Sequence, residues 1–117
     1  MDELVRAFQD VDANLRLVFA LSEVSWDLLY VRDDVADTYS ESDFEATYRE
    51  HMGNRISASN LRQTIDGGEY HGEMYFFEDI VVFQFPSTRH EAVVVSYDWD
   101  ETAPIADVFE VAKNADM

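Results

Sequence analysis

Twenty-five acidic side chains against eight basic ones leave this chain of 117 residues at a net charge of −17. Whatever it folds into must keep nearly all of that charge at the surface, because unpaired carboxylates are almost never fully buried. Like charges at this density also repel one another and oppose compaction in dilute salt. The counterweight is a hydrophobic fraction of 47%, with 14% aromatic residues, which removes the chain from the disordered class. The length suits one domain, 1–117, with a core able to carry the fold unaided. The absence of cysteine excludes a disulfide framework, a zinc ribbon and a cysteine nucleophile. No apolar run approaches the roughly 18 residues of a membrane span, and the N-terminus lacks a basic-then-apolar signal pattern. The expectation is a soluble, cytoplasmic protein with no membrane association.

The carboxylates are spread along the chain rather than gathered in a tail, and Lys113 is the only lysine beside seven arginines. Near 1 M salt the Debye length falls to about 3 Å and most of the self-repulsion is screened. High acidity, scarce lysine and an ordinary aromatic core together resemble a halophilic archaeal cytosolic protein. Acidity acquired as a whole-proteome adaptation carries no information about partners.

Hydrophobic periodicity divides the chain into a simple series. Residues 2–9 read as a short helix, with Leu4, Val5 and Phe8 on one face and Asp2 and Glu3 at its positive end. Leu15, Leu17, Phe19 and Leu21 alternate with Arg16, Val18 and Ala20, the period of a half-buried strand. Residues 22–25 make a hairpin turn without an Asn-Gly or Asp-Gly signature, and residues 26–32 a second strand. Asp33, Asp34 and Asp37 lead out of it. Ser42 with Glu45, or Ser40 with Asp43, caps a crossover helix carrying Phe44, Tyr48 and Met52 as its inner stripe. Gly53 stands where a helix ends, and Ser57 or Ser59 starts a further turn or two with Leu61 and Ile65 inward. Gly67-Gly68 closes the helical region. Strands follow over residues 70–77, 80–85 and 92–97, and Pro104 after Thr102 opens a last helix with Ile105, Val108, Phe109 and Ala112 inward. The order α-β-β-α-β-β-β-α predicts an α+β domain with one five-stranded, mainly antiparallel sheet and its helices packed on it.

Gly68-Glu69-Tyr70, the turn Phe77-Glu78-Asp79, the strands over 81–85 and 92–96 and the helix over 105–112 resemble the second half of a roadblock domain. The element order is also that of the roadblock/profilin-like fold. Over most of its length the chain is similar to small uncharacterised haloarchaeal proteins. That resemblance lies in Leu28-Leu29-Tyr30-Val31-Arg32-Asp33-Asp34-Val35, Tyr39-Ser40-Glu41, Phe77-Glu78-Asp79 and Phe85-Pro86. The roadblock resemblance implies a homo- or heterodimer that scaffolds complexes or modulates small GTPases. The chain departs from it at the serine-bounded first hairpin and at Gly53, and no functional residue of that family carries over.

Motifs for chemistry are sparse. His90-Glu91 begins a zinc-protease pattern, but Val94 stands where the second histidine belongs. His71-Gly72-Glu73 echoes half of a zinc-deaminase signature that needs cysteine ligands. Asp98, Asp100 and Glu101 resemble the start of a calcium loop, with Ala103 and Phe109 where glycine and glutamate are required. Asp33, Asp34, Asp37 and Glu41 form the densest carboxylate group, which reads as a solvated loop before it reads as a cation site. No phosphate loop or nucleophile elbow is present. The expectation is a non-enzyme with no cofactor and no metal.

One stretch runs against the charge. Between residues 49 and 62 stand Arg49, Arg55, Arg62 and His51 with a single acid, Glu50. Broken at Gly53 it would imitate a helix-turn-helix, but so acidic a chain is poorly suited to phosphate, and nucleic acid is not expected. These arginines, with Trp26 and Trp99 as aromatic anchors, are the candidate contact for a protein partner. The leading expectation is therefore a noncatalytic interaction module that dimerises and docks a partner, a small GTPase among the candidates. The alternative is a small-molecule-binding sensory domain, because a small sheet under one helical face can enclose an apolar pocket.

Overall fold

The computed structural model describes residues 3–11, 13–99 and 105–115. In chain order the elements are α1 (Glu3–Gln9), β1 (Leu15–Leu21), β2 (Trp26–Val31), α2 (Asp33–Thr38), α3 (Glu41–Thr64), β3 (Glu73–Phe76), β4 (Ile80–Pro86), β5 (Ala92–Asp98) and α4 (Ile105–Asn114). The five strands form one sheet in the order β2-β1-β5-β4-β3, antiparallel at every pairing. The chain is thus the expected α+β domain. β2 and β3 lie at opposite edges, so the segment joining them must cross the sheet, and it does so as α2 and α3.

Each face of the sheet has its own core. On one side α1 and α4 press Val5, Phe8, Val108 and Ala112 onto Val18, Val81, Phe83, Phe85, Val93, Val95 and Tyr97. Phe8 stacks on Phe85 with ring centroids 6.2 Å apart. The Tyr97 hydroxyl donates to the Phe8 carbonyl at 2.7 Å, and burial holds that hydroxyl well above the usual tyrosine pKa. On the other side Tyr48 and Met52 of α3 cover Phe19, Leu21, Ala92 and Val94. β1 is therefore buried on both faces rather than half-buried. Register shifts between Leu15 and Leu17 and between Val18 and Phe19 send Leu15 and Val18 to one core and Leu17, Phe19 and Leu21 to the other.

Several local expectations need correction. α3 runs unbroken for 24 residues through Gly53, whose φ is not positive, and a Cβ there would meet nothing within 4 Å. A single glycine costs an exposed helix only about 1 kcal/mol, too little to break a long hydrogen-bonded ladder. With no break there is no helix-turn-helix. The cap is Ser40, whose hydroxyl accepts from the Asp43 amide while the Asp43 carboxylate accepts from the Ser40 amide; Ser42 lies inside the helix. Leu61 and Ile65 are exposed, not inward. At ~1.5 Å per residue α3 is about 36 Å long, and it outruns a sheet of seven-residue strands about 23 Å long. Asp33, Asp34 and Asp37 sit on α2, a helix absent from the sequence reading. β3 begins only at Glu73: Gly72 before it has φ +145° and lies so close to β4 that a Cβ would come within 2.6 Å of the Gln84 carbonyl oxygen. The serine-bounded hairpin is as expected, with the Ser22 amide donating to the Ser25 carbonyl at 2.8 Å. The readings at Asp2, Asp100, Glu101, Thr102, Ala103 and Pro104 lie outside the described residues.

Candidate ligand-binding site

Under α3 the second core is incomplete. Between the helix and the sheet lies a cavity of about 300 Å³. α3 contributes Phe44, Thr47, His51 and Asn54 to its wall; β1 contributes Arg16, Leu17 and Phe19; β4 and β5 contribute Ile80, Val82, Val94 and Ser96. Tyr75 of β3, Phe77 beyond it and Tyr39 between the two crossover helices complete the lining. The wall is mostly apolar, which is the composition of a small-molecule site, and the volume is at the lower end for one.

Buried polar residues interrupt three otherwise apolar strands, and two of them, Arg16 and Ser96, stand in the cavity wall. β1 carries Arg16, β4 carries Gln84 and β5 carries Ser96, all buried. Arg16 Nη1 donates to Ser96 Oγ at 2.7 Å. Arg16 Nε lies 3.9 Å from Asp98, beyond hydrogen-bond reach, and the arginine side chain is 10% exposed. Asp98 is committed elsewhere, accepting from Arg32 at 2.7 and 3.1 Å. Arg32 also donates to Asp34 at 2.6 and 2.9 Å, which holds that carboxyl below the usual carboxylate range.

Gln84 Oε1 lies 2.7 Å from His51 Nδ1. An amide oxygen only accepts, so Nδ1 carries the proton and Nε2 keeps its lone pair. Burial pushes the His51 pKa below that of a free histidine, opposed by the Gln84 bond and by Glu73 and Glu50. The ring stands edge-on to Tyr75, at 5.8 Å between centroids. The Tyr75 hydroxyl donates to Glu73 at 2.5 Å, and desolvation together with that carboxylate raises its pKa, so it stays a phenol. The wall therefore presents one buried cation, a neutral imidazole, a hydroxyl and a phenol around an apolar floor, with the exposed carboxylates of Asp43 and Glu50 at its α3 side. Ser96 Oγ is engaged with Arg16 rather than with His51.

A family model described as a domain of unknown function, DUF7522, matches residues 2–115. The chain belongs to the DUF7522 family. No curated protein and no solved structure matches it.

The residues singled out from the sequence of this DUF7522 domain do not share one surface. Trp26 packs on Phe19 and Phe44, both in the cavity wall, and its indole donates to Glu45 at 2.6 Å. Trp99 belongs to the opposite face, edge-on to Phe76 at 5.4 Å. Arg49 is exposed and pairs with Glu45 at 3.5 Å. Arg55 binds Glu91, to the carboxylate at 2.5 Å and to the carbonyl at 3.1 Å. Arg62 lies 5.2 Å over the Tyr70 ring, and burial raises that phenol's pKa to about 12. Arg55 and Arg62 flank a second, more polar hollow of about 230 Å³. Among the described residues no three histidine or acidic side chains converge as a metal would need, and Asp33, Asp34 and Asp37 lie along α2. No helix among the described residues is long and apolar enough to cross a membrane. Sequence reading missed Arg16, His51 as a site residue, Gln84 and Ser96. The available signal was a polar residue inside each of three apolar strands.

Proposed function

We propose that this chain is a noncatalytic small-molecule-binding domain whose site is the cavity between α3 and the sheet. One observation carries the proposal: a cavity of about 300 Å³ with a largely apolar wall that contains the buried guanidinium of Arg16. A charge in such a place is costly unless it is paired; Asp98, 3.9 Å away and bonded to Arg32, pairs with it only loosely, and an anionic ligand would pair with it more fully. The setting belonging to the proposal is the salt-rich cytosol of a halophilic archaeon, supported by the net charge of −17. A thermal-shift screen of small metabolites in molar KCl tests it. A binder should raise the unfolding midpoint of the native chain and fail to raise that of Val82→Phe, which fills the cavity. A screen in which nothing shifts the native midpoint, or in which Val82→Phe responds equally, contradicts it.

A second reading, a roadblock-like homodimer that docks a protein partner, is supported by the element order. It is also supported by an exposed apolar strip along edge strand β3. Met74 and Phe76 are 44% and 56% exposed. Sedimentation equilibrium in molar KCl separates the two: a dimer that Phe76→Ser dissociates favours the second, and a monomer at all concentrations removes it.

A further inference from the structure

We infer that the ligand is a small monocarboxylate with an apolar body, its carboxylate seated against Arg16 and Ser96. The inference rests on the cavity being the binding site and names the chemical class that fits it.

Arg16 carries N–H donors with no hydrogen-bond acceptor among the described residues. A guanidinium has five N–H groups. In Arg16 one is spent on Ser96 Oγ at 2.7 Å, and Nε faces Asp98 at 3.9 Å without bonding to it. Asp98 attracts Arg16 across 3.9 Å, while its hydrogen bonds, one to each oxygen, come from Arg32. Among the described residues no buried side-chain nitrogen or oxygen lacks a partner. The Arg16 donors without a bond are therefore not sealed in the core, and Arg16 lines the cavity. Ser96 adds one more donor: its oxygen accepts from Arg16, so its hydrogen is left for a ligand oxygen. A planar fork of N–H groups beside a hydroxyl matches the two oxygens of a carboxylate.

The rest of the wall sets the remainder of the ligand. Leu17, Phe19, Phe44, Val82 and Val94 offer no hydrogen bond, so the body is apolar. A cavity of about 300 Å³ is at the lower end for a small-molecule site, so the ligand is small. Charge is limited to one unit. Asp43 and Glu50 also line the space from exposed turns of α3, and against one buried arginine they oppose a second negative group. A phosphate or dicarboxylate fits this balance poorly.

The test is isothermal titration of the native chain in about 1 M KCl, where long-range repulsion is screened. The probes are hexanoate and benzoate, their neutral amides, hexylamine and hexanedioate. At least one monocarboxylate should bind tenfold or more tightly than its amide, the scale of a charge-assisted hydrogen bond. Arg16→Gln should remove that preference, and Ser96→Ala should weaken the carboxylate severalfold while keeping the buried guanidinium, which covers the case in which Arg16→Gln does not fold. Amides that bind as tightly as carboxylates, or a hexanedioate or hexylamine that binds best, overturn the ligand class and leave the cavity as a site. No binding by any probe, charged or neutral, overturns the class and counts against the cavity reading as well.

Discussion

His51 links the site to the stability of the fold. Its ring is buried under α3, faces Gln84, Tyr75, Glu73 and Glu50, and has its pKa depressed chiefly by desolvation. The unfolded chain therefore takes up a proton at a higher pH than the native one, near the ordinary value of about 6.5. Stability from the neutral ring is complete above that value and declines as the pH falls through it. Urea midpoints measured between roughly pH 7.5 and pH 5.5, where most carboxylates stay ionised, should fall toward the acid end. His51→Gln should flatten that slope; an unchanged slope places its origin elsewhere. At this scale the sequence was least informative. Arg16 looked like the outward member of a half-buried strand, and only the cover on both faces of β1 turns it into a buried cation. Gln84 and Ser96 were hidden in the same way, because a polar residue in a strand shows its surroundings only once the neighbouring layers are placed.

α3 shapes the cavity roof, and its two ends of sequence information point in opposite directions. Ser40 and Asp43 form a reciprocal cap at its start, and Ser40→Ala should cost about 1 kcal/mol. Gly53 lies exposed inside the helix with open space around its missing Cβ, so Gly53→Ala should stabilise by a similar amount, about 1 kcal/mol. Chemical denaturation of both variants checks the pair, and a loss of stability in Gly53→Ala would show that the helix bends there. The helix start was legible to within two residues, because Ser40 with Asp43 and Ser42 with Glu45 both have the spacing of a cap and only the first pair forms it. Its continuity was not, since a glycine reads alike in a helix interior and at a helix end. The strands were more legible: their apolar runs placed β4 and β5 to within a residue, while β3 was overestimated because Gly72 halts it through contact with β4, a long-range effect.

For the whole molecule, the charge of −17 and the unfilled second core act together. Self-repulsion should loosen the fold in dilute salt, so the thermal midpoint should rise between about 0.2 M and about 2 M KCl as screening shortens the Debye length. A midpoint that does not move would show that the carboxylates are spaced widely enough to be neutral toward stability. Element order and the α+β class were readable from periodicity. The cavity was not, because it depends on how a crossover helix sits on a sheet rather than on any run of residues. The central claim, that this cavity is where the protein binds, is tested most directly by amide chemical-shift mapping with the tightest-binding probe in molar KCl. The account predicts shifts gathered on both walls of the cavity, around Arg16, Phe44, His51, Val82 and Ser96. Shifts confined to the α1 and α4 face, or to edge strand β3, would contradict it.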